Sequence, residues 1–184
     1  MLKHKRKSLI PTFVLVSFIT IIAYFIFTPV SAMVHHVSIR TYTEKRLDSL
    51  QEYVKHNTQL FNVYNDEITV ENVDDFVQVH YSLKIKNHGL SNMRQIRGYV
   101  INVPENDSSF ISADNGEWAR QTWFWGTSLC VVNITIYRNG LTDEELLDKL
   151  KHVKLGIIYE KKGVYDSCTV KNTDSIKDIR WEEK

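Results

Sequence analysis

The chain has 184 residues, of which 43% are hydrophobic, 24% are charged and two are cysteine. Its 23 basic and 22 acidic side chains give a net charge of +1, and both signs are interspersed along the chain after the basic residues 1–8. Because a phosphate backbone demands a clustered basic face, this composition argues against nucleic acid as a partner.

The first predicted element is a transmembrane anchor over residues 9–29. The 19 residues from Leu9 to Phe27 carry no charge and would form a helix of about 28 Å, close to the thickness of a bilayer core. The preceding residues 1–8 are basic, and basic flanks stay in the cytoplasm. The sequence therefore predicts a single-pass protein of the cell membrane, with its C-terminal domain outside.

A signal peptide cleaved near Ala32 is the alternative, and it would leave the protein secreted. Pro29 to Ala32 places small or β-branched residues where a signal peptidase cuts. The apolar run is longer than the roughly 7–15 residues usual for such a signal, which favours the retained anchor.

Residues 30–66 are predicted to be a juxtamembrane segment with one helix at about 43–61. Thr41 to Glu44 has the spacing of a capping box, which marks the start of a helix. Apolar residues then follow at helical spacing, namely Leu47, Leu50, Val54 and Phe61. This apolar stripe needs a partner surface.

Residues 67–171 are predicted to form a β-sandwich domain. Between Phe76 and Lys86 apolar and polar residues alternate strictly, as on a half-buried strand. Other predicted strands lie at 68–70, 96–103, 118–125, 129–137, 153–160 and 164–170. A capping box at Thr142 begins a short crossover helix of about 143–151.

This series of elements predicts the fold class. Short strands with mostly tight turns are typical of a mainly β protein, here an antiparallel sandwich of immunoglobulin-like type with one crossover helix. Residues 172–184 are predicted to be a polar tail.

Cys130 and Cys168 are candidates for a disulfide. Each shares a strand face with apolar residues, so both are predicted to point into the same core. Export would make their pairing possible, and the bridge would stabilise the fold by about 4 kcal/mol on the chain-entropy model. The alternative is two buried, reduced thiols, which behave as small apolar side chains.

Catalysis and metal binding have no recognisable motif in this sequence. It contains neither G-x-S-x-G nor HExxH nor CxxC, and no glycine-rich phosphate loop. The adjacent His35 and His36 point apart in an extended chain and would make a poor chelate. We therefore expect no catalytic residue, no metal and no cofactor, and we interpret the protein as non-enzymatic.

The segment NGEWARQTWFWG, residues 115–126, holds three of the four tryptophans. On a strand, Trp123 and Trp125 would share one face. If both rings were exposed to solvent, they would form an apolar patch of the kind that binds partners. We favour a structure in which the helix of 43–61 covers them through Leu50 and Val54. The alternatives are an exposed platform for a sugar or peptide, and burial in the core.

The function predicted from the sequence is a membrane-anchored, extracytoplasmic, non-enzymatic interaction module. Its partner would be an unidentified protein or envelope component, bound through loops or edges of the sandwich. The alternative is a secreted or anchored carbohydrate-binding module that uses Trp123 and Trp125. A hydrolase with a loop-borne site is the weakest of the three hypotheses.

Overall fold

A computed structural model describes residues 9–27, 30–42, 50, 52, 73–89, 91–103, 109–114, 122–123, 125–138, 140–171 and 179–182. The protein is mainly β-structure. Its strands are β1 (Ser31–Thr41), β2 (Phe76–Lys86), β3 (Met93–Asn102), β4 (Phe110–Asp114), β5 (Thr127–Tyr137), β6 (Lys154–Lys161), β7 (Val164–Lys171) and β8 (Ile179–Glu182). The helices are α1 (Leu9–Phe27) and α2 (Asp143–Lys151), and a 3₁₀ turn at Val73–Asp75 precedes β2.

The strands are hydrogen-bonded in the order β3-β6-β7-β1-β2-β5-β4, and β8 pairs with β1. Most of these pairs are antiparallel, as predicted. However, β1 pairs in parallel with β7 at Ala32 and Met33, and in parallel with β8 from Val37 to Arg40. The fold is therefore mixed rather than wholly antiparallel.

The two groups of strands, β3-β6-β7 and β1-β2-β5-β4, face each other as in a β-sandwich. Gly98 of β3 lies so close to the facing strands that an added Cβ would come within 2.5 Å of Val132 Cγ2 on β5. The alternation predicted for β2 is confirmed, because its inward side chains are all fully buried, namely Val77, Val79, Tyr81, Leu83 and Ile85. Each contributes about 1.5–3 kcal/mol through burial.

α2 connects β5 to β6, which belong to different strand groups, as predicted. It begins with the predicted capping box, in which the backbone N–H of Glu145 donates to the Thr142 hydroxyl and the Thr142 N–H donates to the Glu145 carboxylate. Leu146 and Leu150 bury the inner face of α2. The strands predicted at 153–160 and 164–170 are confirmed as β6 and β7, and the hairpin between them turns at Lys162 and Gly163, with φ of 54° and 79°.

Two strands lie outside the predicted domain bounds of 67–171. β1 lies in the predicted juxtamembrane segment, yet it is a central strand, and β8 lies in the predicted polar tail. A bulge between Val34 and His36 shifts the register of β1. Consequently the inward residues Ala32 and Val37 are an odd number of positions apart, and the period of two is lost.

Some predictions fall outside the described residues, including the strand at 68–70 and most of the helix at 43–61. Leu50 and Glu52 of that helix are described; both are helical, and Leu50 is only 2% exposed. The predicted strand at 118–125 is wrong for its described part. Thr122 makes one isolated bridge to Met93, and Trp125 has a φ of 53°, which turns the chain instead of extending it.

α1 contains 19 residues and has neither acidic nor basic side chains at its ends. Its described side chains expose several large apolar groups to solvent, including Phe13, Leu15 and Phe18. Within the described part of the chain, no helix was found with both the length and the hydropathy that a membrane span needs.

Candidate functional site

A polar cleft lies on the outer face of β1, β2 and β5, opposite the core. The strand register builds it, because Ser38 of β1 lies beside His80 of β2, and His80 lies beside Asn133 of β5. β8 brings Glu182 next to Arg40. The cleft has a volume of about 340 Å³, and His36, Ser82 and Val131 complete its lining.

Arg40 organises the charges of the cleft. Its guanidinium forms an ion pair with Glu182 through Nε, and its Nη1 lies 3.2 Å from Nε2 of His80. Arginine can only donate, so Nε2 of His80 is the acceptor of this hydrogen bond. Hydrogen bonds from Arg40 and then from Ser38 lower the pKa of the Glu182 carboxyl.

Asn133 contributes a buried, unsatisfied hydrogen-bond acceptor to the cleft. Its side-chain oxygen is buried and accepts no hydrogen bond within the described structure. A buried acceptor without a donor costs about 1–3 kcal/mol, so a ligand that brings a donor to this position gains that energy. With the guanidinium, imidazoles and hydroxyls nearby, the cleft is suited to a polar ligand bound by hydrogen bonds.

The described residues include no group of three or more His, Cys, Asp or Glu side chains that could hold a metal ion. The cleft is not predicted from the sequence. The alternation of β2 placed His80 on the outer face, but Arg40 and Glu182 come from the two strands that lie outside the predicted domain.

Trp123 and Trp125 lie apart from the cleft, and the prediction that a helix covers them is wrong. Their side chains are 64% and 63% exposed. Asn87 fixes the backbone of this loop to the end of β2, because its N–H donates to the carbonyl of Gly126 at 3.0 Å and its side chain donates to the carbonyl of Trp123 at 3.2 Å. The loop adjoins Lys86, about 20 Å along β2 from His80.

The predicted disulfide is absent, and Cys130 and Cys168 are free thiols. Both face the core, but they lie on β5 and β7, which β1 and β2 separate in the strand order. The Cys130 thiol is hydrogen-bonded to the backbone of Gly98 on β3, whereas the Cys168 thiol is hydrogen-bonded to the backbone of Ala32 on β1, so each sulfur has a partner other than the second cysteine. Burial raises the pKa of Cys130 to about 12. Burial, followed by the Asp166 carboxylate, raises the pKa of Cys168, so both thiols are poor nucleophiles.

Comparisons with known proteins do not identify a family. No protein-family model matches the sequence, and no curated protein matches it. Among solved structures, the chain is similar to one described as "Crystal structure of yeast GGA1_GAE domain-P21", with 8% identity and a TM-score of 0.31. The match covers 50% of this chain and 74% of the yeast chain. Similarity at this level carries no argument about function.

Proposed function

We propose that this protein is a single-pass, membrane-anchored interaction module without catalytic activity. It holds an immunoglobulin-like sandwich outside the cytoplasm, and the sandwich binds a polar protein or envelope component in the cleft around Arg40 and His80. The observation that carries this proposal is the cleft itself, where an ion pair, two imidazoles and a buried amide oxygen without a donor meet on one face of the sheet.

The anchor is proposed from the sequence alone, on the uncharged apolar run of residues 9–27. No described helix meets the requirements for a membrane span. The position of β1 favours retention of this segment over cleavage near Ala32. Ala32 is 1% exposed and pairs with Ile85 and Val170, so cleavage there would remove the first residues of a central strand.

The binding proposal is tested by photo-crosslinking from inside the cleft in cells that express the full chain. We expect a benzoylphenylalanine at position Ser82, on the cleft floor, to give a covalent adduct of defined mass. The control position is Thr169, which is exposed on β7. The variant Arg40→Gln should weaken the adduct formed from position 82. Equal adducts from both positions, or an adduct that Arg40→Gln leaves unchanged, would refute a binding role for the cleft.

Carbohydrate binding through Trp123 and Trp125 is the second candidate function. The exposure of both rings favours it over a role in the core. If the rings bind a sugar, N-acetylglucosamine oligomers should change the tryptophan emission of the wild type and leave that of a Trp123→Ala variant unchanged.

A further inference from the structure

Outside α1, the most exposed large hydrophobic side chains gather at one end of the domain. Val164, Trp123, Trp125 and Tyr165 are 67%, 64%, 63% and 57% exposed, more than the other large hydrophobic residues described on the strands and loops. Trp123 and Trp125 lie in the loop before β5, and Val164 and Tyr165 are the first residues of β7. We call the surface formed by the described residues among 86–89, 123–127 and 161–165 the α1-proximal end.

The strand pairings place this end next to the start of β1. Ser31 pairs with Lys86, and Lys86 pairs with Thr127, so Ser31 and Thr127 are about 10 Å apart across the sheet. The contacts continue from Thr122 to Met93 and from Met93 to Lys161 at the tip of the β6–β7 hairpin. β7 runs parallel to β1 with Val170 beside Ala32, so Val164 and Tyr165 lie about 17–20 Å before this pairing, on the side of Ser31 from which α1 enters.

α1 ends close to the same place. Only three residues separate Phe27 from Ser31, and a fully extended chain covers that interval in at most about 14 Å. A bilayer that contains α1 would therefore lie immediately beneath the α1-proximal end. The cleft around His80 would be farther from the membrane.

The charge of this end complements an anionic surface. Lys86, Lys161 and Lys162 lie on it. Arg94 of β3 and Glu160 of β6 lie opposite each other in the strand register next to it. The opposite end carries both signs, with Asp74 and Asp75 before β2, three carboxylates in the first turn of α2, and Lys149 and Lys151 in its last turn. The segments of the α1-proximal end, in contrast, contain three lysines and no Asp or Glu.

We infer that the α1-proximal end rests in the headgroup layer of the membrane that α1 spans, with its aromatic rings at the interface and its lysines on anionic phospholipid. Tryptophan and tyrosine favour this layer because one part of the ring system is apolar and another part forms hydrogen bonds. Lysine side chains near anionic lipid add electrostatic attraction. This inference depends on the anchor in the proposed function, and it explains why Trp123 and Trp125 lie outside the core.

The test uses the full chain, reconstituted into phosphatidylcholine vesicles with and without phosphatidylglycerol. Lipids brominated on the acyl chain close to the headgroup quench only tryptophans that reach this depth. We expect strong quenching in the wild type and loss of most of it in the double variant Trp123→Phe, Trp125→Phe. The matched control is Trp181→Phe, because Trp181 pairs with Ile39, about 26 Å along β1 from Ser31.

The lysines are tested in the same vesicles. We expect phosphatidylglycerol to increase the quenching of the wild type, and this increase to disappear in the triple variant Lys86→Glu, Lys161→Glu, Lys162→Glu. The control substitution, Lys151→Glu on α2, should retain the increase. An increase that survives in the triple variant would overturn the role of the lysines.

The outcomes separate this inference from the proposed function. If alkaline carbonate extracts the full chain from the vesicles, the anchor fails and the inference fails with it. If the chain stays embedded but brominated lipids quench the wild type no more than the double tryptophan variant, only the inference is wrong. Emission that responds to N-acetylglucosamine oligomers but not to brominated lipid would overturn it in favour of sugar binding.

Discussion

Gly98 lets the two layers of strands approach each other at the centre of the fold. A Cβ at this position would lie 2.5 Å from Val132 Cγ2, 3.3 Å from Leu83 Cδ1 and 3.4 Å from Cys130 Sγ. These three atoms belong to β2 and β5, which already pair with each other, so they cannot all move away independently.

We therefore expect Gly98→Ala to lower the free energy of unfolding by about 1–3 kcal/mol, as overpacked cores do. Gly89→Ala is the matched control. Its Cβ would meet the end of the flexible Lys161 side chain, which can move at little cost. Urea unfolding of both variants in detergent measures the difference, and equal midpoints would contradict close packing at Gly98.

Cys130 should make the fold sensitive to alkaline pH. Burial raises its pKa from 9.0 to about 12, so the folded state holds this proton more tightly than the unfolded state. The resulting stabilisation is complete below pH 9 and is lost as the pH rises toward 12. Burial also raises the pKa of Tyr81 and Tyr159, and both act in the same direction.

The measurement is the unfolding free energy of the full chain at a series of pH values above 9. We expect it to fall, with Cys130 contributing at most about 1.4 kcal/mol per pH unit. Cys130→Ala should reduce the slope even though it lowers stability at neutral pH. An unchanged slope in this variant would show that the thiol is not the source.

Some strands can be predicted from local sequence patterns and others cannot. β2 is evident because no bulge interrupts its alternation, and the β6–β7 hairpin is evident from its turn residues. β1 has the same length, 11 residues, but the bulge between Val34 and His36 shifts its inward residues by one position. β8 has only four residues and is stabilised by pairing with β1, a contact 142 residues apart for Arg40 and Glu182. The cleft depends on both strands, so local patterns could not reveal it.

The start of α2 is the element best explained by local sequence. Thr142→Ala removes the hydroxyl that accepts from Glu145 N–H, and we expect a loss of about 0.5–2 kcal/mol of stability. Thr142→Ser keeps the hydroxyl and should behave like the wild type. Thermal unfolding compares the two variants, and equal losses would mean that the methyl group, not the cap, matters.

At the scale of the whole molecule, the proposed anchor and the sheet are close neighbours in the sequence. α1 ends three residues before a strand that pairs with β2, β7 and β8, so the proposed anchor leads directly into the centre of the sheet. Such an arrangement restricts where the chain can be cut without loss of the fold.

We therefore expect the mature protein to retain its first 32 residues. Intact-mass measurement of protein purified from membranes should give the mass of the full chain, 21.6 kDa. Protease added to intact cells should still degrade the domain, since it is proposed to lie outside. A species that begins at Met33, found in the medium, would instead establish cleavage near Ala32.

The order of synthesis gives the parallel pairing of β1 and β8 a further consequence. Of the described strands, β1 is made first, yet Glu182 follows Arg40 by 142 residues, which ribosomes need roughly 7–30 s to add. Until then one edge of β1 has no β8 beside it, and an open strand edge can join the same edge of another nascent chain. The last described strand therefore closes the fold, and chains terminated before Ile179 would keep this edge open and tend to associate with one another.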